Sequence, residues 1–269
     1  MSKSKQIAYG DKMLAEKDGA VGWMIFNNPD RHNALSINMW QAIPEILDDF
    51  ESDEDIRVIV LKGAGEKAFI SGADISEFKE SRASADAVTR YDELVQDASN
   101  RLSNTAQPTI AMIRGYCMGG GLAVAISCDM RIATQSSRFA IPAAKLGVGY
   151  GHENTKVLVD LVGPSFAKEI FYTGRRFSSE EAKDMKLVNR VLKSEDLDDY
   201  VGGYIDAMVN NAPLSLTTTN LTDTELIKPE SERDLTVCQR LVEDCANSQD
   251  LAEGRRAFME KRKPEFVGR

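Results

Sequence analysis

Gly115-Tyr116-Cys117-Met118-Gly119-Gly120-Gly121-Leu122-Ala123 follows the apolar run Thr109-Ile110-Ala111-Met112-Ile113 and opens a small-residue, helix-compatible run from Leu122 to Cys128. Three consecutive glycines between a strand and a helix put bare backbone at a helix start, where a ligand can approach the main chain closely. The first turn of a helix presents unpaired N–H groups and a partial positive charge. Such a place holds negative charge on an oxygen, either a phosphate or an oxyanion that forms during a reaction.

The same design occurs once more. Ala68-Phe69-Ile70 reads as a short strand, and Ser71-Gly72-Ala73-Asp74-Ile75 follows it at once. If neighbouring strands deliver both loops, two backbone N–H groups converge on one oxygen, which is the geometry of an oxyanion hole. The phosphate reading competes with it. Gly-x-x-x-x-Gly-Lys-Ser/Thr is absent, which removes a P-loop, and Gly-x-Gly-x-x-Gly is absent too, which disfavours a dinucleotide fold.

Outward from these loops, short apolar runs alternate with longer amphipathic ones, the pattern of βα units. Val21 to Phe26 predicts a strand closed by the turn Asn27-Asn28-Pro29-Asp30, and Ser36 an N-cap for a helix to about Phe50. Ile56 to Leu61 predicts a central strand, and Ala85 to Asn104 a polar helix. Asp129 to Ala133 and Arg138 to Ile141 add strands. Gly163-Pro164 restarts a helix with proline in its first turn. Ser178-Ser179-Glu180-Glu181 fits a capping box, and Leu187 to Leu192 one more strand. Helices follow from Glu195, including Leu235 to Asn247 and Leu251 to Arg262.

The 269 residues suffice for one large domain, or one domain with a helical appendage. A formal net charge of −9 disfavours nucleic acid and anionic membrane surfaces as main partners. Cys117, Cys128, Cys238 and Cys245 form no Cys-x-x-Cys pair; the last two lie seven apart on one predicted helix face and read as buried thiols. With only His32 and His152, no multi-histidine metal site is expected. The polar N-terminus and the lack of a long apolar stretch suggest a cytoplasmic protein.

Several segments together resemble the enoyl-CoA hydratase/isomerase (crotonase) superfamily over nearly the full length. They are Asn27-Asn28-Pro29 with Asn33-Ala34-Leu35, Ala68 to Ile75, and Gly115 to Gly121 with Cys128-Asp129. Leu146-Gly147-Val148, Ala182-Lys183 with Leu187-Val188, and Phe258 to Lys263 complete the set. The resemblance implies an α/β fold with a repeated ββα spiral core over residues 1–195. It also implies a helical C-terminal oligomerisation region over 196–269, assembled as a homotrimer or a dimer of trimers. The implied substrate is an acyl-CoA thioester, with coenzyme A part of the substrate and no separate cofactor. Its carbonyl oxygen would sit between the backbones of Ala73 and Gly120, where an enolate forms. Ser71, Gly72, Asp74 and Ile75 belong to the first loop. Arg31 and His32 match positions that run along the CoA, and Phe258 and Lys261 positions that reach the CoA of a neighbouring subunit. Lys261 reads equally well as a plain surface lysine.

The chain also departs from the family. Hydratases carry one glutamate three residues after the middle glycine and another after the proline of the next strand segment; here these positions are Ala123 and Ala143. An aspartate used by dehalogenases and dienoyl isomerases is replaced by Gly151. General acid–base groups contribute roughly 10²–10⁴-fold each, so the usual route of water addition lacks its partners. Tyr150, His152 and Glu153 remain beside the expected site: an imidazole ordinarily titrates near neutrality, and Glu153 is a candidate relocated acid/base or a helix-start glutamate favoured by the macrodipole. Leu146 to Tyr150 and Glu260 to Gly268 partly resemble methylmalonyl-CoA decarboxylase. Decarboxylation suits a pocket free of carboxylates, which would repel the substrate's own charge, with protonation from Tyr150, His152 or water. Thioester hydrolysis and CoA binding without catalysis are the other readings. Tyr116 is expected to serve packing.

Overall fold

The computed structural model describes residues 5–74, 76–77 and 83–269. Two sheets organise the chain. The larger runs β1 (Lys5–Tyr9), β2 (Met13–Asp18), β3 (Val21–Phe26), β4 (Val58–Gly63), β6 (Thr109–Ile113), β8 (Met130–Thr134) and β11 (Arg190–Leu192) in that spatial order. Its first three strands are antiparallel, and from β3 onward every pairing is parallel. The smaller sheet has the order β10 (Phe177–Ser178), β9 (Arg138–Ala140), β7 (Tyr116–Met118), β5 (Ala68–Ile70).

The strands alternate between the sheets. β4 lies in the large sheet and β5 in the small one, and β6/β7 and β8/β9 repeat the step. A helix follows in the second and third repeats: α3 (Gly120–Ile126) after β7 and α4 (His152–Thr173) after β9. In the first, α2 (Ala85–Ser103) follows β5 at a distance. The expected ββα repeat is thus the architecture, with one difference of detail. The apolar run before the glycines does not feed them directly; Arg114-Gly115 turns the chain into β7, which the sequence shows only as three residues inside the loop motif.

Parallel strands covered on both faces carry apolar residues on both. Val58, Val60, Ile110, Met112 and Ile132 face one core, sealed by Leu197, Val201, Ile205 and Met208 of α6 (Leu197–Val209). Ile59, Leu61, Ala111, Ile113 and Ala133 face the other, between the sheets and helices. There α1 (Ile37–Glu51) inserts Met39, Trp40, Ile43, Ile46, Leu47 and Phe50 at helical spacing, and the Ser36 side chain accepts the Met39 N–H as N-cap. Burying each large side chain is worth about 1.5–3 kcal/mol, so this face anchors α1.

Other expectations shift by a few residues. Gly163, at φ 77°, breaks α4 where Gly163-Pro164 predicts a restart. The capping box forms on α5 (Ser179–Asp184), with Ser178 as N-cap and Glu181 returning to its N–H. β11 begins only at Arg190; just before it, Asn189 donates its N–H to the Arg131 carbonyl and accepts the Arg131 N–H on Oδ1. The hairpin β1–β2 is absent from the sequence reading, its residues being too polar to show a clear period. Cys238 and Cys245 are half-exposed rather than buried, on α8 (Leu235–Asn247), which buries no residue fully; all four cysteines are free thiols. Helices α7 (Pro213–Ile227), α8 and α9 (Gln249–Glu260) end the chain, and the tail folds back as Asp250 accepts the Val267 and Gly268 N–H groups at 2.7 and 2.9 Å. Among the described residues no helix is long and apolar enough to cross a membrane.

Candidate active site

β5 and β7 are parallel neighbours, so the Ser71–Asp74 loop and the glycine turn leave the small sheet side by side. Each turn uses a backbone conformation that favours glycine: Gly72 has φ 121° and Gly119 φ 50°. A side chain on Gly119 would stand 3.9 Å from Gly72 Cα, which measures how closely the loops approach. Gly121 is demanded by packing, since an added Cβ would fall 2.4 Å from the Ile70 carbonyl oxygen.

Neighbouring bonds set the direction of the Ala73 N–H. Leu35 donates to the Gly72 carbonyl and accepts from Asp74 N–H, both at 2.8 Å, an isolated parallel bridge to Ala73. In such a bridge the bonded groups belong to the residues flanking the bridged one, so the Ala73 N–H turns the other way. Gly120 is the first residue of α3, where N–H groups lack helical acceptors. Ala73 and Gly120 line one cavity of about 740 Å³, together with Ser71, Gly72 and Gly119. Behind the loops, Asn33 holds the register. Its Nδ2 donates to the Ala64 and Ala68 carbonyls at 3.0 and 2.8 Å, and its Oδ1 accepts the Asn28 N–H at 2.9 Å.

The other expected residues divide. Ala123 and Ala143 both line the cavity, as do Tyr150 and Glu153. His152 does not: its side chain is 91% exposed, although Nδ1 lies 3.2 Å from Glu153 Oε2. Arg31 and His32 are exposed and stay outside the cavity, but their carbonyls accept from the Ser71 hydroxyl and N–H, tying that turn to the rim. Asp74 is buried with its carboxyl held below the ordinary range, because the Ser76 hydroxyl and N–H donate to it. Ile75 lies outside the described residues. Phe258 and Lys261 are exposed on the last helix, away from this cavity. Tyr116 is half-buried and packs near the His32 ring, centroids 6.1 Å apart, and under the Arg176 guanidinium at 5.2 Å.

Two findings revise the picture of the pocket. First, it is not free of carboxylates. Asp92, Glu93 and Asp97 of α2 line it besides Glu153, and among the described residues no lysine or arginine does. Thr89, Glu93, Gln96 and Asn100 fall on one helical face, a spacing visible in the sequence but indistinguishable there from a solvated surface. Second, Trp40 forms part of the wall, its Nε1 buried without a partner among the described residues, its ring 3.1 Å from where a Gly120 Cβ would stand. Nothing in the pattern of α1 separates it from the core residues around it. Burial pushes the Cys117 and Cys128 thiols up, so neither is a poised nucleophile. Among the described residues no group of three or more His, Cys, Asp or Glu is arranged to hold a metal ion.

The enoyl-CoA hydratase/isomerase family model matches residues 16–269. The chain belongs to this family. It is 31% identical to a short-chain-enoyl-CoA hydratase of Clostridium acetobutylicum over 95% of this chain and 97% of that protein. It is also 31% identical to a peroxisomal Delta(3,5)-Delta(2,4)-dienoyl-CoA isomerase of Arabidopsis thaliana, over 93% and 94% of the two chains. The crystal structure of an enoyl-CoA hydratase/carnithine racemase from Magnetospirillum magneticum superposes with a TM-score of 0.91 at 35% identity, covering 98% and 97%. These relatives carry different reaction names on one fold, so membership of the enoyl-CoA hydratase/isomerase family leaves the reaction to the residues around the cavity.

Proposed function

We propose that this enzyme binds an acyl-CoA thioester with its carbonyl oxygen between the Ala73 and Gly120 N–H groups and stabilises the enolate that forms there. The observation that supports the reading is that Ala73 and Gly120, on the loops that follow neighbouring parallel strands, line one cavity. Donors set before the reaction cost no reorganisation when charge develops, which is why such a pair lowers a barrier. Coenzyme A arrives as part of the substrate, and no separate cofactor or metal takes part. Its path follows the rim, past Ser71, Gly72 and Asp74 and the exposed Arg31 and His32.

Proton transfer to and from the acyl chain falls to Glu153. The usual carboxylate positions hold Ala123 and Ala143, and Glu153 lines the same cavity, as do Tyr150 and Gly151. Isomerisation or hydration by a relocated carboxylate is therefore the favoured chemistry. Decarboxylation of a malonyl-type thioester is the second reading, favoured by the two alanines and opposed by Asp92, Glu93, Asp97 and Glu153, whose charges repel a carboxylated acyl group.

The unit acting in the cytoplasm is a homotrimer or dimer of trimers. Residues 1–195 supply the spiral core and 196–269 the contacts, bringing Phe258 and Lys261 to a neighbour's CoA. Val242, Phe258 and Met259 expose apolar surface on α8 and α9, which supports this assignment. Incubation with a panel of acyl-CoAs, read by mass and by chromatographic retention, which separates double-bond isomers, tests the reaction. Gain of one water or an isomer of unchanged mass supports Glu153 chemistry, loss of carbon dioxide supports decarboxylation, free CoA reports hydrolysis, and intact thioester throughout overturns catalysis.

A further inference from the structure

Gly120, the second proposed donor, is backed by the start of α1. From where a Gly120 Cβ would stand, Trp40 Cζ2 is 3.1 Å away, Leu35 Cδ1 3.3 Å and Trp40 Cη2 3.9 Å. Both side chains are 1% exposed. Leu35 also pairs through its backbone with the other loop, donating to Gly72 and accepting from Asp74. The entry to α1 thus meets both loops at once, one through its backbone and the other through side chains. Trp40 is a costly choice for this place. Its Nε1 is buried with no partner among the described residues, whereas a buried indole N–H ordinarily finds an acceptor. A phenylalanine or leucine would carry no such cost. What the indole adds is reach: Cζ2 and Cη2 belong to its outer ring, and these are the atoms set against Gly120.

We propose that Trp40 and the Leu35 side chain are positioning residues for the oxyanion hole: the indole edge, anchored by α1, sets the separation of the Gly120 and Ala73 N–H groups. The inference rests on the acyl-CoA reading above. Two donors stabilise one developing charge only when both lie within hydrogen-bond distance of the same oxygen. Close-packed walls pass a displacement on to their neighbours. Withdrawing the indole edge therefore lets Gly120 retreat, while the Leu35 backbone still holds the Ala73 loop in place. The loss falls on the transition state more than on the bound substrate, because the donors meet full charge only there. Trp40 acts by its bulk, and its N–H takes no part.

The test uses acetoacetyl-CoA bound to the full-length protein, because its enolate absorbs in the near ultraviolet where the neutral thioester does not. The pH at which the bound thioester ionises reads enolate stabilisation, and the dissociation constant of butyryl-CoA reads the ground state. Asp92, Glu93, Asp97 and Glu153 line the cavity in every variant, so their charges drop out of the comparison. The unaltered protein should ionise the thioester at a lower pH than Gly120→Pro, which lacks the donor N–H. Trp40→Phe should raise that pH by about one unit, tenfold in enolate affinity, and change butyryl-CoA binding by less than about twofold. Leu35→Val, which withdraws Cδ1 and keeps the backbone bridge, should shift it the same way by less. Ile46→Ala, a cavity further along the same helix, should lower the melting temperature and leave the ionisation unmoved. If Trp40→Phe does not fold, Leu35→Val decides. An ionisation unmoved by both variants, or moved as far by Ile46→Ala, overturns the inference alone. Failure of the unaltered protein to bind either thioester, or equal ionisation in it and Gly120→Pro, overturns the acyl-CoA reading and the inference with it.

Discussion

Leu35 and Ala73 form an isolated parallel bridge, which turns the Ala73 N–H away from Leu35, and Ala73 lines the cavity. Leu35 spends its own N–H and carbonyl on Gly72 and Asp74, leaving the residue between them to donate elsewhere. The backbone of the proposed oxyanion donor is thus set by a residue thirty-eight positions earlier in the chain, at the threshold of α1.

Gly120 offers a clean way to remove the other donor. It is the first residue of α3, a position proline tolerates well. Gly120→Pro deletes the N–H, while Gly120→Ala keeps it and brings the same Cβ against Trp40 at 3.1 Å. Turnover of the thioester should fall by about 10²–10³ in the proline variant beyond any loss in the alanine variant, with helical circular dichroism equal in both. Equal turnover in the two would remove Gly120 from the oxyanion hole.

Glu153 and His152 should separate by kinetics. Glu153→Gln is expected to lower kcat by roughly 10²–10⁴, because the carboxylate lines the cavity. His152→Ala should change it by less than about threefold, its ring being turned to solvent. Steady-state rates on the substrate found by mass decide the matter; the reverse ranking would make the histidine the proton carrier.

Asn33 is a stability prediction. Its amide satisfies two carbonyls and one N–H in a fully buried turn, at φ 56°. Asn33→Ala strands these groups and should cost about 2 kcal/mol or more. Urea unfolding measures this, and Asn33→Asp, which sets a buried carboxylate against the Ala64 and Ala68 carbonyls, should lose at least as much.

Acid should weaken the fold in a defined window. Glu181 is drawn down to about 2 by the Arg175 guanidinium and the Ser178 N–H, from an ordinary 4.5, and Glu51 is lowered by Arg101. A depressed folded value means that the unfolded chain takes up the proton first on acidification. The stabilisation is therefore full above about pH 4.5 and disappears as pH falls toward about 2. Melting temperatures across this range should drop, and Glu181→Gln should flatten the slope.

Much of this was legible in the residues. Gly119-Gly120-Gly121 and Gly72-Ala73 marked two loops where bare backbone meets a helix start or turn, and Ala123 and Ala143 were readable as missing carboxylates once the family resemblance placed them. Capping at Ser36 and Ser178 is local chemistry, resolved within three residues, and so survives folding unchanged. What the chain alone did not reveal depends on partners remote in sequence. β7 is three residues long and exists because β5 and β9 flank it. The carboxylates of α2 and the ring of Trp40 reach the pocket through helix placement, which periodicity cannot distinguish from solvent or core. His152 and Glu153 are adjacent in sequence and both reach solvent, yet only Glu153 lines the cavity. The sequence by itself determined the two glycine loops and the alanines at positions 123 and 143; the tertiary structure decided which side chains share a cavity with them, because a pocket wall is assembled from elements whose meeting no local pattern records.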